Sequence, residues 1–94
     1  MITVMVRHFA KKEHLESAKQ HVLETGEKTP DFKGFISRLT LVSEADPLQI
    51  TTITTWESKS HYETWKEGRG PGGSSKGFWS RPVQVETFDV LSHR

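Results

Sequence analysis

Apolar and polar residues alternate along some stretches of this chain and recur at helical spacing along others. Ile2, Val4 and Val6 fall on one face of a strand predicted over 2–9, and Met5 and Phe9 fall on the other. Over 11–25 the recurrence of Leu15, Ala18 and Val22 predicts a first helix with that stripe buried. Gly26 stands where a helix C-cap is expected, and Thr29-Pro30 predicts extended backbone after it. Phe32 and Phe35 bracket Gly34 and open a second strand that runs to Val42. In it Phe35, Leu39 and Leu41 share one face, while Ile36, Arg38, Thr40 and Val42 share the other. A short polar turn over 43–47 leads into a third strand over 49–56, rich in the β-branched Ile and Thr that suit a half-buried pleated surface. Ser58 fits an N-cap, and Tyr62 and Trp65 recur at helical spacing over 59–67, with His61 and Trp65 also on one face. A break over 68–77 holds five of the seven glycines, Phe78 and Trp79 re-anchor the chain, and 83–91 reads as the last strand.

This order, βαββαβ, is the split pattern of ferredoxin-like α+β folds. Right-handed crossovers put both helices on one face of an antiparallel sheet. The other face must meet water or a partner, yet the first strand offers apolar residues to both. That conflict predicts face-to-face pairing of two copies, a homodimer. The expectation is one domain spanning 1–94.

Composition narrows the function. Only 33% of residues are hydrophobic and the mean hydropathy is -0.60, a small apolar supply that a core shared between two copies would relieve. The net charge of +1, spread along the chain, lacks the basic footprint of a nucleic-acid binder. Cysteine is absent, which removes disulfides, thiolate nucleophiles and Cys-ligated zinc. No apolar stretch approaches the roughly 20 residues that cross a bilayer, so no membrane partner is expected. Met1 leads directly into a strand-like run without signal-peptide features, and a cytoplasmic location is the expectation. His14 and His21 flank the apolar stripe of the first helix, but no third ligand lies nearby. They read as histidines at the solvent edge, and no metal site is expected. The glycine-rich break leaves a helix rather than a strand, which is the wrong order for a phosphate-binding loop, so it reads as a surface loop or lid.

The segment Thr-Thr-Trp-Glu-Ser-Lys-Ser-His-Tyr-Glu-Thr-Trp, preceded by Pro-Asp-Phe-Lys-Gly-Phe and a polar turn, resembles the antibiotic biosynthesis monooxygenase superfamily of dimeric α+β barrels. The likeness runs from the first strand to the fourth. It implies a pocket between helices and sheet, and either cofactor-free oxidation of an aromatic or quinol-type small molecule or non-catalytic binding of a small molecule or heme by the dimer. By its distance from the Trp-x-Ser junction, Trp65 matches a second-helix Trp that lines the heme pocket of IsdG-type heme-degrading members; core packing explains it equally well. Those members also use an Asn on the first strand and an axial His about ten residues beyond that Trp, by the family's spacing. Here Arg7 stands at or next to the Asn position, Asn is absent from the chain, and Ser75 falls near the His position. Heme degradation of that type is therefore not expected, and no cofactor is.

Cofactor-free oxidation needs a dry pocket, a base and a group that stabilises the substrate anion. His61 is the candidate base, with a solvated residue in the first helical turn as its bland alternative. Arg7 is the candidate anion stabiliser, or else the partner of a carboxylate such as Glu86 across the sheet. Trp65, Phe9, Phe35 and Trp79 are the expected substrate-binding aromatics. His8, on the opposite strand face from Arg7, is expected to point towards the dimer interface. A cavity with His or Arg converging on it would mark an enzyme; the same space filled by Trp56, Trp65, Trp79 and phenylalanines would mark a structural dimer.

Overall fold

The computed structural model describes residues 1–68 and 77–94. Its elements are β1 (Ile2–Ala10), α1 (Leu15–Lys28), β2 (Phe35–Val42), β3 (Gln49–Trp56), α2 (Lys59–Gly68) and β4 (Trp79–Asp89), with short 3₁₀ turns at Lys12–His14 and Thr29–Asp31. All strand pairs are antiparallel and the strand order is β2-β3-β1-β4, the ferredoxin-like arrangement that the element order predicts. The expected loop or lid, including Ser75, lies outside the described residues apart from its end glycines. Among the described residues no helix is long and apolar enough to cross a membrane.

Two buried clusters hold the helices on the sheet, one under each. Ile2, Val4 and Trp56 pack with Tyr62 and Trp65 of α2. Ala10 and Ile50 pack with Ala18 and Val22 of α1. Trp56 is completely buried and is the hub of the first cluster, with ring centroids 5.5 Å from Trp65, 6.2 Å from Tyr62 and 5.7 Å from Phe35. Ser58 caps α2, its Oγ accepting from the His61 amide at 3.3 Å, so the strand-to-helix junction forms as its residues predict.

Several local expectations are corrected. Gly26 is not a C-cap but lies inside α1, which continues to Lys28. A Cβ at Gly26 would come within 2.8 Å of Arg38 Nε, so the glycine makes room for a side chain crossing from β2. Thr29 keeps helical backbone angles despite the following proline; it is fully buried and its hydroxyl donates to the Thr25 carbonyl at 2.9 Å. β4 begins at Trp79, ahead of its expected start, and contains Pro82. An edge strand tolerates that missing donor, and the β1–β4 register shifts beside Phe9. A register shift also falls between Phe35 and Ser37. It turns Phe35 towards Trp56 instead of leaving it in line with Leu39 and Leu41.

The face of the sheet away from the helices is open and carries a cluster of apolar side chains among polar ones. Register puts Leu39 opposite Ile53 and Ile53 opposite Met5, with Leu41 and Phe88 on the same face. Leu39, Leu41 and Phe88 are all exposed.

Candidate active site

The two clusters leave the middle of the helix-covered face unfilled, and a cleft of about 730 Å³ opens there. Its floor is the row of β-strand residues Val6, His8, Arg38, Thr52 and Thr54. His21, Val22 and Thr25 of α1 form one wall. Tyr62 and Trp65 of α2 form the opposite wall, with Glu63, Lys66 and Glu67 exposed along its rim. Trp79, Val83 and Val85 of β4 close a third side.

The floor follows from strand alternation. Ile2, Val4 and Val6 face the helices, and His8 is the next residue in that row. Its Nδ1 lies 3.2 Å from the carbonyl oxygen of Ile50, its ladder partner. A carbonyl only accepts, so Nδ1 carries the proton in this bond. A neutral His8 ring then has its basic lone pair on Nε2. The ring is also packed on Trp79, with centroids 4.9 Å apart and planes tilted by 40°. A base whose tautomer and orientation are fixed in this way is suited to accept a proton from a bound ligand.

Arg38 supplies the charge of the floor. Its Nη2 donates to the Val22 carbonyl at 3.1 Å, and Gly26 gives its guanidinium the space to lie against α1. The side chain is half-buried, whereas the rim charges of α2 are exposed and screened by solvent. Among the described residues, Arg38 is the half-buried cation of the cleft.

Of the expected site residues, the cleft takes in Trp65 and Trp79. Trp65 serves both as wall and as core, being only 6% exposed and packed on Trp56 and Tyr62. Arg7 does not line the cleft. It alternates with Val6 and His8 and so faces the open side of the sheet, opposite Gln84; Glu86 lies opposite Met5, and among the described residues no ion pair joins it to Arg7. His8, expected at the dimer interface, lies in the cleft by the same alternation. His61 also stands apart. Its Nδ1 is 2.7 Å from Ser58 Oγ, and its ring covers Gly34, where a Cβ would overlap it and where φ is 86°. Phe9 is buried with the Arg81 guanidinium 3.7 Å from its ring centroid, and Phe35 packs on Trp56; neither lines the cleft.

Of the two α1 histidines, His14 is exposed as expected. His21 is half-buried, lines the cleft and meets the Phe78 ring edge-on at 5.9 Å. Among the described residues no group of three or more His, Cys, Asp or Glu side chains is placed to hold a metal ion. Sequence reasoning missed His8, Arg38, Thr52 and Thr54. Parity with Ile2, Val4 and Val6 was a signal sufficient for His8.

Residues 1–70 match the sequence profile of the antibiotic biosynthesis monooxygenase family. No functionally curated protein matches the chain in sequence. Among solved structures, a crystal structure of an antibiotic biosynthesis monooxygenase aligns at TM-score 0.80 and 16% identity, covering 98% of this chain and 100% of that one. Rv0793 from Mycobacterium tuberculosis aligns at TM-score 0.82 and 15% identity over 98% and 96% of the two chains. A MhuD mutant with two manganese protoporphyrin IX molecules bound per active site aligns at TM-score 0.81 and 12% identity over 100% and 98%. At these identities the likeness is one of fold.

Proposed function

The chain belongs to the antibiotic biosynthesis monooxygenase family, and on that premise we propose that it is a cofactor-free oxygenase of a quinol-type aromatic bound in the cleft. The observation that carries the reading is His8: its Nδ1 proton is committed to Ile50, so Nε2 is the basic nitrogen of the ring's neutral form on the floor of the cleft. His8 replaces His61 as the base, and Arg38 replaces Arg7 as the cation that stabilises the substrate anion. Trp65 and Trp79, which line the cleft, offer the aromatic surfaces on which the substrate ring packs.

His8 Nε2 takes the proton of a substrate hydroxyl, and Arg38 lowers the energy of the resulting phenolate. The electron-rich anion passes an electron to O2, and the two radicals combine to form a carbon–oxygen bond. Loss of water leaves one oxygen atom of O2 on the product. A quinol and O2 thus give a hydroxyquinone and water, with the substrate supplying every electron.

Oxygen uptake tests this, with 1,4-dihydroxynaphthalene as substrate and a strong chelator present. The expected result is saturable, protein-dependent uptake with label from O2 in 2-hydroxy-1,4-naphthoquinone. Uptake no faster than protein-free autoxidation would overturn the oxygenase reading. Ligand binding without uptake would replace it with a non-catalytic binding role.

Hemin is expected to stay intact when incubated with the protein and a reductant, because the chain has no Asn to match the family's heme-degrading members. The check is the Soret band, which should decay no faster than in a protein-free control.

The functional unit is proposed to be a homodimer formed through the open sheet face. Leu39, Leu41 and Phe88 leave an apolar surface there that one copy alone does not cover. Light scattering after gel filtration at micromolar concentration should give about twice the 10.7 kDa mass of the chain. A monomer mass would rule this out.

A further inference from the structure

Two hydroxyls on the floor of the cleft have no role in the proton transfer just described. Thr52 and Thr54 are 4% and 5% exposed and line the cleft from β3. Among the described residues neither hydroxyl has a hydrogen-bond partner. Neither hydroxyl oxygen is sealed off from the cleft, so each is open to a polar atom of a bound ligand, which a valine of the same shape could not receive. The pair therefore marks where polar atoms of a ligand belong.

Their neighbours give the pair a direction. Arg38 lies directly opposite Thr54 on β2. Thr52 lies opposite Val6 on β1, with His8 one diagonal step away on the same face. The polar row runs Arg38, Thr54, Thr52, His8, with a cation at one end and a proton acceptor at the other. Two residues along a strand span about 6.5–7 Å. The two oxygens of a para-dioxygenated aromatic ring lie somewhat closer together than that, so each can reach one hydroxyl by a hydrogen bond, whereas a single phenol engages one end only.

We propose that Thr52 and Thr54 select para-dioxygenated aromatics, binding them with the oxygen–oxygen axis along β3. One oxygen sits at Thr54 beside Arg38, and the other sits at Thr52 beside His8. The substrate class rests on the oxygenase reading, but the binding mode is tested without turnover.

The test is an anaerobic titration followed by tryptophan fluorescence, since Trp65 and Trp79 both line the cleft. The probes are 1,4-dihydroxynaphthalene and 1-naphthol, and the proteins are the natural chain, Thr52→Val, Thr54→Val and the two Thr→Ser variants. Loss of one neutral hydrogen bond weakens binding about fivefold. Each Val variant should therefore bind the diol about fivefold more weakly, while each Ser variant should bind it as the natural chain does. 1-Naphthol should respond to one Val substitution and not the other. Urea unfolding checks that the Val variants remain folded, and Thr52→Ala and Thr54→Ala, which should weaken diol binding likewise, carry the test if they do not. Undiminished diol binding in both Val variants would overturn the proposal. So would natural-chain binding of 1-naphthol as tight as that of the diol, or no binding of either probe. If the expected binding pattern holds but oxygen uptake is absent, the oxygenase reading fails and the recognition row stands.

Discussion

A His8→Gln variant is expected to turn over the quinol about 10²–10⁴-fold more slowly than the natural chain, the usual contribution of a positioned general base. Glutamine keeps a hydrogen-bonding group near the Ile50 carbonyl and a comparable volume, but it has no basic nitrogen. The loss should appear in kcat, with KM for the quinol changed much less, because the proton moves in the transition state. His61→Gln should leave kcat near that of the natural chain, since His61 is tied to Ser58 and Gly34 away from the cleft. Steady-state oxygen uptake over a range of quinol concentrations checks both. A large loss in the His61 variant with His8→Gln unaffected would return the base to the position that sequence reasoning first chose.

The second large effect concerns stability. Trp65→Ala should cost about 3 kcal/mol, the lower end of the 3–5 kcal/mol typical of truncating a buried aromatic. Trp65 is buried against Trp56 and Tyr62, but one side borders the cleft and leaves no new cavity there when truncated. Trp56→Ala should cost more, near the top of that range at about 5 kcal/mol, because Trp56 is wholly enclosed. Against a typical total of about 5–15 kcal/mol, the second change approaches loss of the fold. Denaturant unfolding at fixed protein concentration measures both, the concentration being held because assembly couples to stability. A Trp65→Ala loss as large as that of Trp56→Ala would show that Trp65 is core alone.

The fold was legible because its signals are local. Alternation drew β1 and β3, the Trp56–Ser58 junction drew the start of α2, and the element order drew the sheet. Departures came where tertiary contacts act. Gly26 looked like a helix stop because its reason for being glycine is Arg38, which approaches from β2. Phe35 looked like a partner of Leu39 until a register shift turned it towards Trp56. The site was less legible for a different reason. Arg7 and His8 are both polar and adjacent, so residue chemistry did not rank them, whereas parity with Ile2, Val4 and Val6 did. Thr52 and Thr54 sit in a strand where Ile and Thr occupy both faces. No periodicity marked those two hydroxyls as different from Thr51 or Thr55.

The most direct measurement of the central claim is a crystal structure of the protein soaked anaerobically with 1,4-dihydroxynaphthalene. The ring is expected between Trp65 and the sheet, with one oxygen within hydrogen-bond distance of His8 Nε2. A ligand seated beside Arg7 on the open sheet face, or against His61, would contradict it.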